Sequence, residues 1–125
     1  MSRDYLTLAD VLAIHGDQIA TYGGGIGIRD PGQLEAALFR PQSGYYEDIF
    51  AEAAALWESL SQYHPFVDGN KRTAFASMFT FLTINGHDLT ANADQSWQFL
   101  SGLYESGELN FEALESWLRE NVKEI

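Results

Sequence analysis

The chain has 125 residues, a formal net charge of −11 and no cysteine. Its length predicts one domain over residues 1–125, and the lack of cysteine excludes a disulfide scaffold and a thiolate metal site. The negative charge argues against a broad contact surface for DNA or RNA, so we expect no direct nucleic-acid partner. No apolar run approaches the ~18 residues of a membrane span, and the N-terminus lacks the apolar core of a signal peptide, so we expect a cytoplasmic protein without a membrane partner.

Local start and stop signals divide the chain into about six predicted helices. Thr7 and Asp10 form a capping-box pattern, and the glycines from Gly23 onward predict the end of this first helix near residue 22. Asp30 followed by proline predicts a second helix that runs to about residue 40. Further helices are predicted over about residues 49–63, from 69 to about 85, over 94–106 and from 110 onward. No convincing strand pattern is present, so we expect an all-α fold, a compact bundle of about six helices.

The stretch HPFVDGNKRTAF, which starts at residue 64, places charge at the beginning of an otherwise apolar helix. Lys71 and Arg72 are the only basic residues in the middle of the chain, and a cation at a helix N-terminus is unfavourable by ~0.3–1 kcal/mol. Gly69 lets a ligand approach the backbone closely, and Asn70 adds a short side-chain amide. This arrangement is favourable when a phosphate group occupies the helix N-terminus, so the stretch predicts a phosphate-binding turn.

Two polar side chains precede this predicted phosphate site. A carboxylate beside bound phosphates is a common ligand for Mg²⁺, which makes Asp68 a candidate metal ligand. His64 is a candidate general base, since neutral imidazole can accept a proton from an incoming hydroxyl. Phe66, between them, is expected to anchor the turn in the core. The residues alone leave a second interpretation open, in which Asp68 only caps the helix, His64 lies on the surface and both cations are solvated.

The motif HPFVDGNKRTA resembles the core motif of the death-on-curing (Doc) toxins, a branch of the Fic-domain superfamily. The segments IHGDQIATYGGGIGIRDPGQLEAALFRPQ and FLTINGHDL also resemble Doc-like proteins, so the resemblance covers nearly the whole chain. It implies a Fic/Doc-like helical fold, a catalytic His64, a buried aromatic Phe66 and a metal-coordinating Asp68. It further implies a phosphate-binding turn made of Gly69, Asn70, Lys71 and Arg72.

The resemblance also separates two possible reactions. AMP-transferring Fic enzymes keep a glycine where this chain has Lys71 and a second arginine where it has Phe75, and both departures match the Doc branch. The implied activity is an ATP- and Mg²⁺-dependent protein kinase that phosphorylates a threonine or serine of a translation factor, elongation factor Tu or a similar one, and halts translation. AMP transfer to a protein and a non-catalytic binding module are the alternatives. The phage-type toxin differs by an arginine in place of Gln62 and an alanine in place of Gly69.

The resemblance implies a small cognate antitoxin, which blocks the site with a Phd-like C-terminal segment. Tyr45 and Tyr46 lie in the loop where relatives carry a flap, so they are candidates for docking the target or the antitoxin. The glycines within residues 23–27 lack the spacing of a dinucleotide fingerprint and predict a structural turn. His15 is expected to be structural or solvated, and the three tryptophans are expected in the core or at an interface.

Overall fold

A computed structural model describes residues 3–125, and within this range it contains six α-helices. The helices are α1 Leu8–Tyr22, α2 Pro31–Phe39, α3 Ile49–Gln62, α4 Asn70–Ile84, α5 Ala93–Ser106 and α6 Phe111–Asn121, with a short 3-10 turn at Arg40–Gln42. The prediction of an all-α bundle of about six helices is therefore confirmed. None of the helices in the described part of the chain is long and apolar enough to cross a membrane.

Two short strands were not predicted from the sequence. Strand β1, His87–Leu89, pairs in antiparallel register with strand β2, Val122–Glu124, so that Asp88 lies opposite Lys123. Three residues are too few to show the alternating pattern that identifies a strand. The pairing depends instead on the fold, which brings the end of α6 next to the turn after α4.

Side chains close in the sequence cap the starts of α1 and α2, whereas no side chain caps the start of α4, which belongs to the site. The Thr7 hydroxyl and the Asp10 carboxylate form both hydrogen bonds of a capping box at the start of α1, and Gly23 ends this helix with a φ of 85°. The Asp30 carboxylate caps α2 with a single hydrogen bond, which it accepts from the backbone N–H of Gln33. Helix α4 differs, because its N-cap is Gly69 and no side chain caps it.

Helices α3 and α4 form the centre of the core. The indole of Trp57 on α3 and the ring of Phe81 on α4 are fully buried, and burial of a large apolar side chain contributes ~1.5–3 kcal/mol. Trp117 of α6 packs edge-on against Trp57, with 5.7 Å between ring centroids. Trp97 of α5 lies outside the core and is 65% exposed, so for this tryptophan only the interface half of the prediction remains. It stands on the surface beside the site described next.

Candidate active site

Residues 63–69 form a tight turn between α3 and α4, called the motif turn below. His64 is exposed and has a φ of 49°, and no other non-glycine residue in the range 3–125 has a positive φ. A residue that precedes a proline favours extended backbone, and Pro65 follows. The conformation of His64 is therefore strained and must be held by its surroundings.

The segment just before α2 holds the motif turn from outside. The Arg29 guanidinium donates two hydrogen bonds, from Nε to the carbonyl oxygen of His64 at 2.7 Å and from Nη2 to that of Tyr63 at 3.0 Å. The backbone N–H of Arg29 donates to the carbonyl oxygen of Pro65 at 2.7 Å. Residues 27–28 add backbone contacts farther along the turn, including an antiparallel bridge.

A buried aromatic pair supports the motif turn from inside. The Phe66 ring is 1% exposed and stacks on the His15 ring of α1, with 3.8 Å between centroids and 7° between planes. Nε2 of His15 lies 2.8 Å from the carbonyl oxygen of Asp68, and it must donate this hydrogen bond because a carbonyl oxygen only accepts. His15 is therefore a structural residue beneath the turn, and the structure places Phe66 in the core.

The side chain of Asn70 closes the motif turn on itself. Its Oδ1 accepts a hydrogen bond from the backbone N–H of Phe66 at 2.9 Å, and its Nδ2 donates to the Phe66 carbonyl oxygen at 3.0 Å. The amide that the sequence suggested for phosphate contact is thus used to hold the backbone. The contribution of Asn70 to an anion site rests on its backbone N–H, at the open start of α4.

At the N-terminus of α4, the backbone N–H groups of residues 69–72 occur together with the cationic side chains of Lys71 and Arg72. We call this set of groups the anion cradle. Gly69 adopts a φ of 76°, and a Cβ there would lie 3.1 Å from Cδ1 of Ile19. The first-turn N–H groups of a helix lack intrahelical acceptors and carry the positive end of its dipole, so they attract an anion. The alternative in which Asp68 caps this helix is wrong, because the N-cap is Gly69.

The glycine loop after α1 packs directly against the anion cradle. The N–H of Gly25 donates to Oδ2 of Asp68 at 2.7 Å, and a Cβ on Gly24 would come within 3.2 Å of the Asp68 Cβ. The carbonyl oxygen of Gly23 accepts a hydrogen bond from Nη2 of Arg72 at 3.1 Å. The loop is a structural turn, as predicted, but it also orients two site residues. In the sequence, only the glycine content of this loop indicated that another segment could approach its backbone closely.

Aromatic faces hold both cations of the cradle. Nζ of Lys71 lies 4.1 Å from the centroid of the Tyr104 ring on α5, and Cζ of Arg72 lies 5.4 Å from that of Tyr22 on α1. Burial raises the pKa of the Tyr104 phenol, so the ring is neutral at pH 7 and presents its electron-rich face to Lys71. Neither cation is paired with a carboxylate anywhere in residues 3–125. Both charges therefore remain available to an anionic ligand.

A cavity of about 570 Å³ joins the motif turn, the anion cradle and α5. Its walls include His64, Val67, Asp68, Gly69, Asn70, Lys71, Arg72, Trp97, Ser101, Tyr104 and Glu105. A more apolar groove of about 710 Å³ runs beside it between α1, α4 and α5, and the two share Lys71, Arg72, Trp97 and Tyr104. The structure thus brings the site residues predicted in the motif together with an unpredicted wall from α5.

The remaining predicted residues lie elsewhere. Tyr45 is 85% exposed and Tyr46 accepts a hydrogen bond from Nε of Arg40 at 2.6 Å, and neither lines the cavity or the groove. Their role in docking stays a prediction. The side-chain amide of Gln62 donates to the carbonyl oxygen of Leu109 at 2.8 Å. Gln62 therefore connects α3 to the start of α6 in this structure.

Comparison of the sequence with known proteins gives one family model and two relatives. A sequence model of the Fic/DOC family matches residues 5–82, which include the glycine loop, the motif turn and the anion cradle. A protein named Toxin Doc from Mycolicibacterium smegmatis is 46% identical over 96 residues, which cover 73% of this chain and 72% of that protein. Protein kinase doc from Escherichia phage P1 is 37% identical over 86 residues, which cover 66% of this chain and 68% of the phage protein. The chain therefore belongs to the Fic/DOC family.

Proposed function

We propose that this chain is the toxin of a toxin–antitoxin pair and acts as a protein kinase. It transfers the γ-phosphate of ATP to a threonine or serine hydroxyl of a translation factor, elongation factor Tu or a similar one, and thereby halts translation. The names of the two relatives, Toxin Doc and Protein kinase doc, support this proposal. The observation that carries it is the uncapped start of α4, with unpaired Lys71 and Arg72, in the same cavity as exposed His64.

The chain's own residues divide the work of phosphoryl transfer. The anion cradle binds the phosphates of ATP and stabilises the charge that moves onto their oxygens. The imidazole of His64 accepts the proton of the target hydroxyl as its oxygen attacks the γ-phosphorus. The bond to the bridging β–γ oxygen breaks, ADP leaves with the electron pair and the phosphate remains on the target. Catalysis here is mostly positioning and electrostatics.

The residues present fit a magnesium ion bound together with ATP. Asp68 is exposed beside the cradle, and Gly25 holds its Oδ2, which orients the carboxylate. Mg²⁺ is commonly bound through one or two carboxylates together with phosphate oxygens and water. No group of three or more histidine and acidic side chains in residues 3–125 is arranged to hold a metal ion without a nucleotide. When bound, the ion would neutralise charge on the phosphates that Asp68 faces.

Two positions favour transfer of phosphate over transfer of AMP. Lys71 adds bulk and charge to the cradle where AMP-transferring relatives keep a glycine. Phe75, where those relatives have a second arginine, packs edge-on against Trp57 at 5.6 Å between centroids and lines the groove. Without the second arginine the cradle offers fewer contacts to a triphosphate in the AMP-transferring pose, so ATP presents its γ-phosphate to the target.

The groove beside the cavity is the proposed docking surface for the C-terminal segment of the antitoxin. Its wall is mostly apolar, and it ends at Lys71 and Arg72. An amphipathic helix can place its apolar face in such a groove, with an acidic side chain at the cationic end. A segment bound there would also reach Trp97 and Tyr104, which line the cavity. It would therefore close the ATP site.

The test uses purified elongation factor Tu, ATP and Mg²⁺, with intact-mass and fragment spectrometry of the target. We expect the parent protein to add phosphate, and His64→Ala to lower the rate ~10²–10⁴-fold as expected for loss of a general base. His87→Ala is the matched control, because His87 lies on β1, and it should keep the parent rate. An unmodified target contradicts elongation factor Tu as the substrate, and an added adenylate contradicts the kinase proposal.

A further inference from the structure

Arg29 contacts both peptide groups that flank His64. Its Nη2 donates to the carbonyl oxygen of Tyr63, which belongs to the peptide group before His64, and its Nε donates to the carbonyl oxygen of the peptide group after it. Because peptide groups are planar, φ and ψ of His64 are the rotations that relate these two planes. One rigid guanidinium therefore bonds to both peptide planes. The rotation between these planes sets the direction of the His64 imidazole.

The conformation held in this way is one that histidine does not favour. A φ of 49° is left-handed, and the following proline further restricts His64 towards extended backbone. A strained backbone at a site residue persists only when its surroundings over-determine it. The fork of Arg29 matches two carbonyl oxygens at 2.7 and 3.0 Å with a rigid, planar pair of donors, whereas a lysine ammonium group is a point charge on a flexible stem.

A purely structural role for the Arg29 side chain is less consistent with its surroundings. The side chain is exposed and does not contribute to the core. The backbone of the same segment already anchors the motif turn, since the N–H groups of Arg29 and Asp30 both donate to the carbonyl oxygen of Pro65. Val67 is held in turn by the carbonyl oxygen of Gly27 at 3.1 Å. These bonds remain when the side chain is replaced.

We infer that Arg29 is a positioning residue, whose guanidinium holds His64 in the left-handed conformation that aims its imidazole into the cavity. This inference rests on the proposed function of His64 as the general base. It predicts that loss of the guanidinium slows the transfer step without weakening ATP binding, because Arg29 does not line the cavity. A misplacement of about 1 Å in a catalytic group can lower a rate ~10²-fold.

The experiment compares Arg29→Gln and Arg29→Lys with the parent and with Arg119→Gln. Arg119 is a matched control, since its guanidinium also bonds to oxygen atoms but at the opposite end of α3, on Asp48. For each protein we would measure the HN–Hα coupling and the carbon chemical shifts of His64 by NMR, the ATP affinity by calorimetry, and kcat and KM for transfer to the target.

Both Arg29 variants should lose the left-handed signature of His64, keep the parent ATP affinity and show kcat lowered by ~10²-fold. Arg29→Lys keeps the positive charge but loses the planar pair of N–H donors. If Arg29→Gln does not fold, Arg29→Lys alone is compared with the parent. Unchanged His64 signals in either folded variant, or parent kcat in Arg29→Lys, would overturn the inference. If the parent itself transfers nothing, the proposed function fails, while the NMR comparison still decides whether Arg29 sets the conformation of His64.

Discussion

The ammonium group of Lys71 lies 4.1 Å from the centroid of the Tyr104 ring, so a cation on α4 and an aromatic face on α5 meet in the wall of the cavity. This contact fixes the position of the cradle lysine, which the proposed kinase function places against the phosphates of ATP. It also explains how a lysine is tolerated at a helix N-terminus, because the ring face partly offsets the unfavourable helix dipole.

Lys71→Gly should lose kinase activity, since the γ-phosphate then lacks the charge that holds it at the cradle. A large gain of AMP transfer is not expected, because Phe75 still stands in place of the second arginine. Mass spectrometry of the treated target distinguishes phosphate from adenylate, and Lys123→Gly on β2 is the matched control. If the parent adds adenylate and Lys71→Gly changes only the rate, Lys71 does not set the pose of ATP.

Tyr104→Leu should weaken ATP binding, because it removes the aromatic face that positions the Lys71 ammonium. A cation–π contact at an exposed site contributes ~0.5–1 kcal/mol, which corresponds to a severalfold change in affinity. Tyr104→Phe is the control. It keeps the ring face over Lys71, so the affinity for ATP should not fall. Calorimetric titration with ATP and Mg²⁺ tests this, and equal affinity in both variants would show that the ring face is unimportant.

Asp68→Asn should reduce the Mg²⁺ dependence of nucleotide binding more than it reduces stability. The asparagine oxygen can still accept the hydrogen bond from Gly25, so the loop contact survives while the charge is lost. Titrations of ATP with and without Mg²⁺ measure the difference, and Asp88→Asn on β1 provides the control. Asp68 is not a ligand of the ion if variant and parent show the same metal dependence.

Trp97→Ala should weaken binding of the antitoxin's C-terminal peptide, because this indole is 65% exposed and lines both the groove and the cavity. Phe39→Ala on α2 is matched, since Phe39 is 64% exposed and lines neither. Peptide binding should also protect the backbone of α4 and α5 along the groove, and the backbone near His64, from hydrogen exchange. Equal affinity of both variants for the peptide, or protection that leaves α4 and α5 unchanged, would place the antitoxin elsewhere.

Arg119→Gln should lower stability at neutral pH but leave transfer activity unchanged. Burial opposes ionisation of Asp48, yet the hydrogen bonds from Arg119 and from the N–H of Ala51 outweigh it and lower the pKa of Asp48. A lowered pKa stabilises the fold above the unfolded value, and this contribution is lost as the pH falls through the folded value. Both side chains are more than one-third exposed, so the loss at pH 7 should be ~0.5 kcal/mol.

Urea denaturation at neutral pH and at about pH 3, below the usual pKa of an aspartate, measures this effect. The difference between parent and Arg119→Gln should shrink in acid, where Asp48 becomes protonated. A difference that is the same at both pH values would mean that Arg119 stabilises the protein through contacts other than its ion pair with Asp48, such as its guanidinium over the Phe50 ring, 5.2 Å from the centroid.

Local patterns in the amino-acid sequence predicted the starts of the helices and grouped the residues of the motif. The starts of α1 and α2 depend on residues that lie within one turn of each other, Thr7 with Asp10 and Asp30 with the proline after it. His64, Asp68 and the cradle are also neighbours in the chain, so their pattern is visible before folding. Signals of this kind are local, since capping and turn formation involve backbone groups only a few residues apart.

Residues far apart in the chain complete the site, and the packing of the helices brings them together. Three hydrogen bonds of the site join residues that are far apart in the chain. Arg29 and His64 are separated by 35 positions, Gly25 and Asp68 by 43, and His15 and Asp68 by 53. The α5 wall and the pairing of β1 with β2 are likewise contacts between remote segments. A lone arginine, glycine or histidine has no local pattern that reveals its partner, because the partner is set by how the helices pack around the shared core.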